Sequence, residues 1–260
     1  MANKKREKRI IACLDILDGK AVKGVNFVNL RSVGNVVELA SLYEKEGCDE
    51  LAMLNIAATK ENHKMFIALL KKVREAIDIP IVVGGGINST SDALSFIESG
   101  ATKISVNSAA VKNPPLLNEL AKEVGSEKLV CAIDVLSNEN VASGYEIFIS
   151  GGKVGTNKDA LKWALEVQDR GCGEILLTSM DRDGTKNGFD VILTHLFSSK
   201  LDVPVIASGG AGKMEHFLEV FEKGKSDAAL AASIFHFREV EITKLKIYLA
   251  ENGIAIRQKR

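Results

Sequence analysis

IACLDIL (11–17) and VCAIDVL (130–136) are two copies of one short strand, each an apolar run that ends in an aspartate, Asp15 and Asp134. Outward from this pair the repetition continues. DIPIVVGGGI (78–87) returns as DVPVIASGGAG (202–212), and ATKISVNSAA (101–110) returns as SDAALAASIF (226–235). The chain reads as one half followed by a variation on it, with approximate bounds 1–125 and 126–260.

Eight such runs can be marked: 9–15, 50–55, 80–85, 103–108, 128–134, 174–179, 204–210 and 227–233. Their shortness and apolarity predict parallel strands covered by helices on the outside. The segments between them, such as NVVELASLYEKEG (35–47) and KDALKWALEVQDRG (158–171), carry apolar residues at helical spacing and close on glycine. Eight strand–helix units with no Pro-, Ser- or Gly-rich linker predict a single (β/α)8 TIM barrel of α/β class over 1–260, near the usual length for that fold.

The bulk numbers limit the function classes. Thirty-four basic and 34 acidic side chains cancel, so no net field draws the chain toward nucleic acid or membrane. No run approaches a membrane span, and the N-terminus lacks the apolar core of a signal peptide. Cys13, Cys48, Cys131 and Cys172 lack CxxC spacing and read as thiols in a reducing cytoplasm. The four histidines form no metal-binding pair, so neither a metal nor a cofactor is expected.

The chemistry is expected at the C-terminal rim, where barrel enzymes carry it. Either aspartate alone could simply cap the next loop. As strand ends in matching positions of the two halves, Asp15 and Asp134 instead bracket the mouth and suit paired acid–base work. Glycine clusters follow the third and seventh runs, Gly84-Gly85-Gly86 and Ser208-Gly209-Gly210-Ala211-Gly212. The fourth and eighth runs end in Asn107-Ser108 and Ala232-Ser233, ahead of helix starts. Bare amides and helix N-termini favour anions. Two symmetric copies imply a substrate with a phosphate at each end. The segment 16–34, with Lys23 and three glycines, is either a mobile lid or a surface hairpin. A polar loop runs from Thr178 through Gly184 on the same rim.

At the opposite end, strand alternation turns Arg9, Lys103 and Glu174 toward the axis. Glu50 joins them with less certain direction, because its parity to Asn55 is off by one. These charges make either a salt-bridged plug or a gate to a channel through the core.

With ACLD, VKGVNF, VGGGI, ISVNSAAV, CAID, GEILLTSMDRDGTKNGFD, IASGGAGKMEHF and ALAASIFHF in place, nearly the whole chain resembles the cyclase subunits of imidazole glycerol phosphate synthase, from histidine biosynthesis. The resemblance implies a lyase-type cyclase that takes ammonia from a glutaminase subunit, bound as a heterodimer at the N-terminal barrel face. The ammonia is used on a bisphosphorylated ribulosyl-formimino aminoimidazole carboxamide ribonucleotide. It implies Asp15 and Asp134 as the acid–base pair, and Lys23 as a lid lysine. Gly86, Asn107 and Ser108 would belong to one phosphate region, and Gly184, Ser208, Gly209, Gly210 and Ser233 to the other, with Thr178 also among the substrate-binding residues. Arg9, Glu50, Lys103 and Glu174 would be the ammonia gate. Two positions depart from the family: Asn55 stands where an aspartate is usual, and Leu17 replaces a usually polar residue. The competing readings are the barrel isomerase of the same pathway, a side-branch relative that aminates a sugar, and a non-catalytic barrel that binds phosphometabolites.

Overall fold

The alternation of strand and helix closes as a ring. The computed structural model describes residues 7–25, 28–56 and 60–258, with side chains over 7–22, 32–56 and 62–258. Strand β1 (Arg9–Leu17) runs into an antiparallel hairpin of β2 (Lys20–Val25) and β3 (Val28–Gly34). Then come β4 (Glu50–Asn55), β5 (Ile81–Gly84) and β6 (Lys103–Val106). Strand β7 (Leu129–Ser137) again runs into a hairpin, of β8 (Tyr145–Ile149) and β9 (Val154–Asp159). Strands β10 (Glu174–Ser179), β11 (Val205–Ser208) and β12 (Ala228–Ala231) complete the set. The parallel ladder runs β1-β4-β5-β6-β7-β10-β11-β12, and β12 returns to pair with β1. This is the (β/α)8 barrel expected from the repeat.

The helices alternate with these strands. They are α1 (Val36–Lys45), α2 (Lys60–Ala76), α3 (Thr90–Glu98), α4 (Ser108–Lys112), α5 (Pro115–Val124), α6 (Ala160–Asp169), α7 (Val191–Ser198), α8 (Met214–Glu222), α9 (Ser233–His236) and α10 (Ile242–Glu251). Their ends follow local chemistry. Asn35, Ser89, Asp159 and Asp190 each accept a backbone N–H of the helix they open, meeting donors that would otherwise lack partners. Gly47 and Gly171, just past α1 and α6, take positive φ and so let the chain turn back toward a strand.

Strand alternation makes two cores. Outward residues such as Ile10, Leu14, Val83, Ile104 and Ile133 pack against the helices, and each fully buried aliphatic contributes about 1.5–3 kcal/mol. Inward residues, among them Ile11, Ala52, Val82, Val130, Leu176 and Ile206, fill the lumen. The repeat reaches into details of the outer seam. Glu44 accepts the amides of Asp78 and Ile79 at 2.6 and 2.9 Å. Its counterpart Gln168 accepts those of Asp202 and Val203 at 2.7 and 3.3 Å.

Within 16–34 the described residues form a hairpin of β2 and β3. Lys23 lies on β2, but its side chain is outside the described residues. The equivalent second hairpin, Tyr145–Asp159, was not anticipated. Its signal was there in the alternating YEIFI and the Gly151-Gly152 turn.

Candidate active site

Asp15 and Asp134 sit near the C-terminal ends of β1 and β7, four positions apart in an eight-strand ring, so the barrel holds them across the mouth from each other. Each lies where its strand begins an antiparallel hairpin: Asp15 pairs with Val22 and Asp134 with Phe148. The aspartates therefore stand under the two hairpin bases. Asp15 is buried.

Asp134 is held by two side chains. Asn107 Nδ2 donates to its Oδ2 at 2.8 Å, and the Thr178 side chain hydrogen-bonds to it from the neighbouring strand. Burial pushes its carboxyl up to about 6, and the nearby charge of Asp183 raises it further, against the lowering effect of the Asn107 and Thr178 bonds. A carboxyl at that value can hold or release a proton near neutrality, as acid–base catalysis requires.

Around the aspartates the glycine clusters are set by close backbone approach. Gly85 and Gly209 follow β5 and β11 with φ of +94° and +92°. A Cβ on Gly85 would overlap the Asn55 carbonyl, and one on Gly209 would stand 2.6 Å from the Ser179 carbonyl oxygen. Gly86 and Gly210 also take positive φ, at +77° and +97°. Asn107 and Ala232 share an unusual conformation, φ and ψ of −134° and −96° against −124° and −79°, just before Ser108 opens α4 and Ser233 opens α9. The two cradles are thus one backbone design used twice.

Their supports differ. Ser108 Oγ accepts the Ser150 amide at 2.9 Å, which ties the first cradle to the β8–β9 turn. The second is backed by the polar loop after β10. Gly188 donates its amide to the Gly210 carbonyl at 2.8 Å, and Gly184 lies in that loop at φ +76°. Ser208 ends β11 beside Thr178. The Gly212 amide donates to His216 Nδ1 at 3.1 Å, and burial holds His216 below its ordinary value, so the ring is neutral and accepting. His216 and Asp183 are contributions that spacing alone did not single out.

At the floor, the four charges meet. Arg9 ion-pairs with Glu50 and Glu174. Lys103 bridges the same two carboxylates at 3.1 and 2.7 Å. The result is a closed ring of alternating charge. Burial raises the Glu50 carboxyl, but Arg9 and Lys103 outweigh it and hold it below its ordinary value. Glu50 does face the axis. The parity mismatch belongs to Asn55 instead: Leu54 pairs with Asp15 and packs against the lumen cluster, while Asn55 pairs with Ile16. In the second half Thr178 pairs with Asp134 and Ser179 with Val135. Asn55 is therefore the register counterpart of Ser179, and Leu54 that of Thr178. Among the described residues no group of His, Cys, Asp and Glu is arranged to hold a metal ion.

Fold and site together define a (β/α)8 barrel whose candidate site lies at its C-terminal rim. A family model described as histidine biosynthesis protein matches residues 9–241. Imidazole glycerol phosphate synthase subunit HisF of Cytophaga hutchinsonii is 52% identical over 251 residues, covering 96% of this chain and 99% of that protein. The same-named subunits of Campylobacter concisus and Flavobacterium johnsoniae are 53% and 51% identical over 250 residues, each covering 96% of this chain and 98% of the relative. The chain belongs to the histidine biosynthesis protein family, in its imidazole glycerol phosphate synthase HisF-subunit branch.

Proposed function

We propose that the chain is the cyclase subunit of imidazole glycerol phosphate synthase. It uses ammonia to convert the bisphosphorylated ribulosyl-formimino aminoimidazole carboxamide ribonucleotide into imidazole glycerol phosphate and an aminoimidazole carboxamide ribotide. The observation that carries this reading is the pair of carboxyls across one mouth, flanked by two copies of the same glycine-lined cradle. A substrate with a phosphate at each end spans such a mouth with its reactive middle between Asp15 and Asp134. Addition of ammonia to a carbonyl requires a proton taken from nitrogen and one given to the departing oxygen. Ring closure with C–N cleavage, a lyase step, requires a second exchange. Asp134, held near neutrality, fits the proton-carrying role, and Asp15 serves as its partner.

Gly86, Asn107 and Ser108 form one phosphate region. Gly184, Ser208, Gly209, Gly210 and Ser233 form the other, with Thr178 orienting Asp134 and Lys23 assigned to the substrate-binding set. The floor ring of Arg9, Glu50, Lys103 and Glu174 acts as a gate, with a glutaminase subunit docked beneath it and ammonia passing through the lumen. A plug would close the barrel equally well; the relatives' naming as subunits favours a partnered floor. The site is cytoplasmic and needs no cofactor. No helix among the described residues is long and apolar enough to cross a membrane.

The test is direct. Asp15→Asn and Asp134→Asn should each abolish ammonia-dependent product formation while substrate still binds. Unaltered turnover in both would remove the acid–base pair. Turnover of the substrate in the unaltered protein without any ammonia source would favour the isomerase reading.

A further inference from the structure

Helix α9 is a single turn, Ser233–His236, and one turn has too few internal hydrogen bonds to fix its own direction. Its direction is set by what grips its far end. Phe235 is buried against the Phe217 ring, which meets Phe189 edge-on. The second grip is polar and comes from α1. The Tyr43 hydroxyl and His236 Nδ1 share a hydrogen bond of 2.6 Å, with the two rings stacked at 6.2 Å between centroids. Tyr43 is only 1% exposed. Burial holds its phenol above the ordinary range, so it keeps its proton. A hydroxyl that deep is costly without a hydrogen-bond partner, so the bond fixes where His236 can lie.

The repeat isolates this feature. Aligning Cys48 with Cys172 puts Val167 at the position of Tyr43, and aligning Ser108 with Ser233 puts Val111 at the position of His236. Both valines are buried in the outer core. One junction between the halves has two valines at the positions where the other has a directional bond. Helix α1 is also the element into which the β2–β3 hairpin leads, through the Asn35 cap.

We propose that Tyr43 and His236 are positioning residues for the second phosphate region, holding α9 at the angle that presents Ser233 to the phosphate. This rests on reading Ser233 as a phosphate residue. The bond reaches Ser233 along one helical turn and leaves Ser108, on the far cradle, untouched.

The experiment follows the backbone amide signals of Ser108 and Ser233 while inorganic phosphate is titrated into the full chain. Tyr43→Phe should weaken phosphate binding reported by Ser233 roughly three- to ten-fold, the worth of one hydrogen bond, with Ser108 unchanged. His236→Phe, which keeps a ring but loses the bonding nitrogen, should show the same loss and serves as well if the Tyr43→Phe chain folds poorly. His236→Asn, whose side-chain amide offers both a donor and an acceptor where Nδ1 stood, should retain the original affinity. Equal affinity at Ser233 in the Phe variants and the unaltered protein overturns the inference, as does an equal loss at both serines. No phosphate response at Ser233 in the unaltered protein overturns the phosphate reading itself, and this inference with it.

Discussion

Asp134 carries an energetic cost that its fold must absorb. Its carboxyl, raised by burial to about 6 from an ordinary 3.8, binds a proton more tightly folded than unfolded. The folded state therefore loses stability as pH rises from about 4 through 6, and the loss is complete above that. Asp134→Asn should accordingly stabilise the protein at pH 7.5 by about 1–3 kcal/mol in a denaturant titration, while turnover is lost. A destabilised Asn variant would mean that the carboxylate is held by contacts stronger than its burial. The Asn107 amide favours the charged form, so Asn107→Ala should move the limb of the pH–rate profile near 6 to higher pH. An unmoved limb would separate that titration from Asp134. Both aspartates were legible in the sequence because repetition marked them. That Asn107 bonds to Asp134 was not, since spacing along a strand says nothing of which neighbour an amide will choose. Asn55 shows the same limit: strand parity left its direction against Glu50 unsettled, and its register put it one step away from the lumen-facing slot.

At the level of elements, the floor ring and the glycine turns carry separate risks. Lys103→Met keeps bulk but leaves Glu50 and Glu174 sharing only Arg9, which should cost about 3 kcal/mol. If the ring is a gate, this variant should lose more of its glutamine-dependent turnover, measured with a glutaminase partner, than of its ammonia-dependent turnover. Equal losses would make it a plug. Gly209→Ala meets the Ser179 carbonyl at 2.6 Å with φ at +92°, and should lose about 1–3 kcal/mol of stability by thermal melting. The clusters were readable as tight turns from their glycines. Their close packing on the preceding strand, and the β8–β9 hairpin over the first cradle, depend on tertiary contacts that local pattern does not encode.

For the whole molecule, the ladder is unbroken between the halves: β6 pairs with β7 and β12 with β1, over spans like those of β5–β6 and β11–β12 within each half. We therefore expect 1–260 to unfold as a single unit. Trp163, on α6 of the second half, should report the same denaturant midpoint as far-UV circular dichroism, which sees both halves. Separate midpoints would divide the barrel. The architecture was the most legible level of all, because eight short apolar runs in two matching sets leave few other ways to bury them. The central claim, that the mouth between Asp15 and Asp134 closes an imidazole ring with ammonia, is tested by one assay. The purified chain is given the bisphosphorylated ribulosyl substrate and an ammonium salt, without any glutaminase. Formation of imidazole glycerol phosphate, absent when ammonium is left out, is the result predicted; intact substrate after prolonged incubation of the folded protein would contradict the account.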